Sequence, residues 1–198
     1  MNNELPSILA EDLQNLNQQF ESIKSEAHTL LGDLTEIQFN WQASPNRWSI
    51  AQCIDHLLVT GGDSLSNMHR AINEARSKGL FSRGPFRYGV IERWFVRQME
   101  PRARMKLKAP KAYTPRSEWL GAEIVSNFYG LHERFLRCIE EANGIDLSRV
   151  KVNNPVSRWL RLSLGQELAF NAAHERRHLW QASRVKQERD FPRQPAAV

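Results

Sequence analysis

A chain of 198 residues, 41% apolar and 25% charged, has the length of one ordinary domain and the composition of a globular protein. Ten glycines and nine prolines exclude a collagenous or low-complexity polymer, and a mean hydropathy of −0.55 without an apolar run near the ~18 residues of a membrane span argues against membrane insertion. The net charge of +5 is uneven, because Arg76 to Arg116 carries twelve Lys or Arg against two acids, Glu92 and Glu100.

The predicted elements are helical throughout. Leu13, Leu16, Phe20, Ile23, Ala27, Leu30 and Leu34 alternate steps of three and four, which predicts an amphipathic first helix with Gly32 as its stop. QFNWQASPNRW, with Pro45 and Asn46, reads as a loop. Ser49 and Gln52 form a capping-box pattern at the start of a second helix, whose apolar face is Ile50, Ile54, Leu57, Leu58, Leu65, Met68 and Ile72. Gly61-Gly62 is a point where that helix can kink, and Lys78-Gly79 ends it.

Residues 80–114 are mixed, with a short helix expected over Arg87 to Met99. Thr114-Pro115 reads as the N-cap and first turn of a third long helix carrying Leu120, Ile124, Phe128, Leu131, Phe135 and Cys138, ended by Asn143-Gly144. A second capping box, Ser163 with Gln166, opens a last helix running to about Gln187. No strand is predicted. Four long amphipathic helices bury their faces most simply as an all-α four-helix bundle, here one domain over 1–198 with a long connection between helices two and three.

The last helix carries the residues with chemistry. Asn171, His174, Glu175, His178 and Gln181 fall within an arc of about 120° that overlaps the apolar face, while Arg176 and Arg177 are expected on the other side. Imidazoles at i and i+4 can both reach one divalent cation. HERRH matches the H-E-x-x-H protease signature literally, but the metzincin extension is absent, since Gln181 and Arg184 stand where that family has glycine and histidine, and Glu188 is a poor downstream ligand with 20 residues left after His178. A third ligand must therefore come from another helix. His28, His56, His69 and His132 are the candidates, and spacing alone leaves His56 and His132 both open.

WSIAQCIDHLLVT around His56, PRARMKLKAPKAYTP in the crossover and AFNAAHERRHLWQASRV near the end resemble the DinB/YfiT-like family over nearly the whole chain. The resemblance implies an up-down-down-up bundle that often dimerises, with a divalent metal on one histidine of the second helix and an H-x-x-x-H pair on the last. Carried over, these are His56, His174 and His178. Relatives include thiol-dependent S-transferases, a maleylpyruvate isomerase and proteins described as metal-dependent hydrolases. The resemblance therefore implies activation of a low-molecular-weight thiol or of water for attack on a small-molecule substrate. The alternative is a metal-binding or structural bundle without catalysis. Imidazole suits nickel or zinc.

Glu175 is the expected general base, with Gln181 and Asn171 supporting the ligands. Trp48 and Trp180 are expected to pack rather than to receive substrate, and Cys53 and Cys138 to be buried thiols. Lys106, Lys108 and Lys111 are candidates for holding an anionic cosubstrate. The sequence pI of about 9.5 raises nucleic-acid binding, but no recognition helix or basic-aromatic repeat supports it. The N-terminus lacks a basic stretch followed by an apolar run, and two cysteines make no disulfide framework, so a cytoplasmic protein is expected.

Overall fold

The computed structural model describes residues 8–101, 109–115, 120–155 and 160–193. Its elements in chain order are α1 (Glu11–Leu31), α2 (Glu36–Asn40), α3 (Ile50–Ser77), α4 (Val90–Met99), a 3-10 turn (Lys111–Tyr113), α5 (Gly121–Glu141), β1 (Lys151–Asn153), β2 (Arg161–Ser163) and α6 (Leu164–Lys186). The four long helices form a bundle in which α1 and α3 each pack against both α5 and α6, so α1 and α3 occupy opposite corners. The long connection leaves α3 and returns at α5, and its helix α4 lies against α6. Among the described residues, no helix is long and apolar enough to cross a membrane.

The predicted stripes are the core. Leu13, Leu16, Phe20, Ile23 and Ala27 of α1 meet Ile124, Phe128, Leu131 and Phe135 of α5 in one apolar cluster, with Phe20 stacked on Phe135 at 4.8 Å between ring centroids. Leu31 rather than Leu30 completes the stripe of α1. The Ser49–Gln52 capping box forms as expected, each side chain satisfying the other's backbone N–H. The helix it opens runs without interruption through Gly61-Gly62. Gly61 marks a close approach, not a kink: a Cβ there would lie 2.9 Å from Leu131 Cδ2.

Several local expectations are overturned. A short helix, α2, interrupts the expected loop after α1, opened by a capping box between Thr35 and Gln38. Helix α5 begins at Gly121, not at Thr114-Pro115. Its first N–H is claimed by a distant acid, since both oxygens of Glu36 accept from Gly121 N at 2.8 Å, and an acid at a helix N-terminus also meets the positive end of its dipole. The Ser163–Gln166 box does not form. Instead Glu92 of α4 accepts from Ser163 N at 3.0 Å and from Ser163 Oγ at 3.2 Å. A small antiparallel ribbon, Lys151↔Ser163 to Asn153↔Arg161, precedes α6 where no strand was predicted. Three residues a side are too few to leave an alternating pattern.

Candidate metal centre

Helix α3 brings His56 inward almost two turns after its N-cap, and α6 brings His174 and His178 to the same point one turn apart. All three imidazoles are buried, at 4%, 6% and 5% exposure. Their Nε2 atoms converge: His56 to His174 is 3.3 Å and His174 to His178 is 3.0 Å, and each residue offers one ligand atom within 4.8 Å of the others. A tetrahedral cation with imidazole nitrogens at about 2.0–2.1 Å holds those nitrogens about 3.3 Å apart. The donor set and its spacing therefore fit a divalent metal ion.

The protonation state also fits. His56 Nδ1 lies 2.8 Å from the carbonyl of Tyr113; donating there fixes the tautomer that leaves the Nε2 lone pair facing the cluster. Burial pushes His174 down to about 3 and His178 well below its ordinary value, with mutual repulsion and the nearby charge of Arg177 acting in the same direction. Burial also lowers His56, against the opposing pull of the Tyr113 carbonyl and Asp55. Neutral imidazoles are the form a metal ion binds. Trp48 covers the cluster, stacked on His178 with centroids 5.8 Å apart and tilted on His56 at 5.0 Å, while Phe170 stacks on His174.

The cluster opens into a cavity of about 620 Å³. Trp48, Trp180, Met99 and Val185 give it apolar walls, and Gln181, Arg177 and Arg184 give it polar ones. Cys53 also reaches it, but burial pushes its thiol up to about 12, far from a reactive thiolate. Both tryptophans expected to be packing residues thus face the cavity, and Trp48 packs on the histidines as well.

The other candidates fall elsewhere. His132 is fully buried among Phe20 and Phe128, and its Nε2 lies 2.7 Å from Glu175 Oε2, in a polar contact not aligned as a good hydrogen bond. The expectation that Glu175 acts as general base meets a geometric obstacle: its carboxylate, 2% exposed, turns toward α5 and is not part of the cavity wall. Residues 174 and 175 are 100° apart on the helix, and here that step separates the cavity from the core. His69 pairs with Glu141 at 2.9 Å on the surface, and His28 is exposed. Asn171 donates to Ser64 Oγ at 2.8 Å and to the carbonyl of Glu167, away from the imidazoles. It belongs to a buried polar knot in which Glu167 accepts from Ser64 and Asn154. Lys111 is exposed on the 3-10 turn and does not line the cavity; Lys106 and Lys108 lie outside the described residues.

Arg177, expected on the far face, lines the cavity and donates from Nη1 to the carbonyl of Gln98 at 2.9 Å. Arg176 pairs with Glu100. The sequence reading missed Tyr113 altogether. Its carbonyl orients His56, and its hydroxyl donates to Asp63 Oδ2 at 3.1 Å, tying the crossover to α3. A backbone acceptor leaves no side-chain signature, so only its place in the crossover motif could have pointed to it.

No curated protein and no solved structure gave a significant match to this chain. The family model of the DinB superfamily matches residues 19–182, which include His56, His174 and His178 and span all but the start of α1 and the end of α6. The bundle, the long crossover and the three-histidine cluster agree with that match, and the chain belongs to the DinB superfamily.

Proposed function

We propose that His56, His174 and His178 hold a divalent cation, nickel or zinc, and that the protein is an enzyme activating a low-molecular-weight thiol or water against a small-molecule substrate. The observation that carries this reading is the convergence of three neutral Nε2 atoms beneath an open cavity. Three protein ligands with space beside them are the pattern of catalytic sites, whereas structural sites close their shell with a fourth. When bound, such a cation lowers the pKa of a water or thiol beside it.

The chain's own residues supply the rest. The Tyr113 carbonyl holds the His56 ring in register. Trp48 and Phe170 fix the other rings by stacking and limit water around them. Gln181 lies at the cavity wall beside His178, where its amide can orient a polar group of a ligand. With Glu175 directed into the core, the proton of the nucleophile has no carboxylate to go to among the described cavity residues.

The test is elemental analysis with X-ray absorption spectroscopy on the purified protein. The expected result is a stoichiometric divalent metal with nitrogen ligands and at least one exchangeable light ligand, lost in both His56→Ala and His174→Ala/His178→Ala. A protein that retains no metal when purified under metal-replete conditions overturns the reading. A fully protein-ligated, closed shell favours the non-catalytic alternative.

A further inference from the structure

Helix α4 is apolar on two sides. Phe95, Val96 and Met99 face inward to the α6 side, with Phe95 stacked on Phe170 at 5.6 Å between ring centroids. At ~100° per residue, Arg93, Arg97, Val90, Trp94 and Ile91 follow one another around the opposite arc of about 160°, and all five are exposed. Val90, Ile91 and Trp94 are 72%, 80% and 52% exposed, three large apolar side chains within one turn and a half of helix. A helix apolar on both sides is ordinarily covered on both, and an apolar surface rimmed by polar groups marks an interaction site.

The charges beside these side chains are of one sign and unanswered. Arg93 and Arg97 on the helix, and Arg83 and Arg87 on the exposed stretch leading into it, make no side-chain ion pair or hydrogen bond among the described residues. The acids of α4 and its C-cap are already engaged. Glu92 pairs with Lys151 at 2.7 Å and accepts from Ser163, and Glu100 pairs with Arg176. Free arginines beside Val, Ile and Trp on one helix face match the headgroup region of an anionic bilayer. There phosphate answers guanidinium, the indole sits at the boundary and the aliphatic side chains meet acyl chains. A second copy of the chain is a poorer partner, since a two-fold contact sets like against like and this arc carries no acid. Nucleic acid would answer the arginines, but Val90 and Ile91 offer a base no ring to stack on.

We propose that the solvent face of α4, made of Val90, Ile91, Arg93, Trp94 and Arg97, docks the protein peripherally on a membrane surface rich in anionic phospholipid, with Ile91 and Trp94 entering the boundary between headgroups and acyl chains. Arg83 and Arg87 add to the attraction. The contact needs no membrane-spanning helix and is independent of what the three histidines bind.

The test is cosedimentation of the full chain with sucrose-loaded vesicles of phosphatidylcholine alone and of phosphatidylcholine mixed with phosphatidylglycerol, at low and at physiological salt. Partition into the anionic vesicles is expected to exceed that into the neutral ones by about tenfold or more and to fall as salt rises. Arg93→Gln and Arg97→Gln should each weaken it by about fivefold, and Ile91→Ser by about tenfold. Arg134→Gln/Arg137→Gln takes two exposed charges from α5 instead and should leave partition nearly unchanged. Every substituted side chain is exposed, so all the variants are expected to fold, and thermal melts check that they do.

No binding to anionic vesicles at low salt, equal binding to neutral ones, a loss of equal size in the α5 variant, or affinity unchanged by both Ile91→Ser and Arg93→Gln/Arg97→Gln overturns the proposal. So does tighter binding of an oligonucleotide that the α4 variants abolish, or a dimer in light scattering that Ile91→Ser dissociates, since either assigns the face to another occupant.

Discussion

Glu175 and His174 are neighbours in sequence with opposite roles. His174 turns into the imidazole cluster, and Glu175 turns to His132 in the interior between α6 and α5. Replacing Glu175 by Ala leaves a buried imidazole facing a void, and stability should fall by about 1–3 kcal/mol, as when a buried polar group loses its partner. Metal content should not change, because the carboxylate does not reach the cluster. Chemical denaturation and elemental analysis read the two outcomes independently. A variant that kept its stability and lost its metal would contradict the placement.

The ligand imidazoles make a second prediction at this scale. In the metal-free protein, burial holds His174 at about 3 and His178 and His56 below the ordinary 6.5. The unfolded chain takes up these protons near pH 6.5, and the folded chain resists them. Stability from the neutral rings is therefore fully present above about pH 6.5 and is lost as pH falls toward about 3. Urea unfolding of chelated protein should show this decline, at up to about 1.4 kcal/mol per pH unit for each suppressed ring. His174→Ala/His178→Ala should flatten it.

At the scale of elements, adjacent glycines in α3 separate packing from propensity. Gly62 has open space where a Cβ would stand, so Gly62→Ala should stabilise by about 0.5–1 kcal/mol through helix propensity alone. Gly61 faces Leu131 and Phe135 at 2.9 and 3.3 Å, and Gly61→Ala should be destabilising by about 1 kcal/mol once overpacking outweighs the same gain. Thermal melts of the two variants check the sign difference. Helix starts divide in the same way. The boxes at Thr35 and Ser49 close within four residues, whereas α5 and α6 are capped by Glu36 and Glu92 from 85 and 71 residues away. Local pairs can be found in sequence; caps supplied by another element cannot. Arg177 is a different case: three residues after His174 and four before Gln181, it lies at the edge of their face on the helical wheel, so helical spacing already placed it beside the histidine stripe and only Arg176 on the far side.

For the molecule as a whole, the cluster joins α3 to α6, two helices that meet only through tertiary packing. A cation bound there acts on the folded state alone, so nickel or zinc at 100 times its dissociation constant should raise stability by about 2.7 kcal/mol. Calorimetry should show a rise in Tm on metal addition and no rise in His56→Ala. The sequence by itself determined the four helices, their apolar stripes and the i,i+4 histidine pair, because 3.6-residue periodicity is a local property written in consecutive side chains. Family resemblance added His56 to that pair. Only the tertiary structure decided that His132 answers Glu175, that a Tyr113 carbonyl orients His56, and that arginines of α6 line the cavity. Each depends on the distance between segments remote along the chain, and periodicity within one helix carries no information about which neighbour its faces will meet.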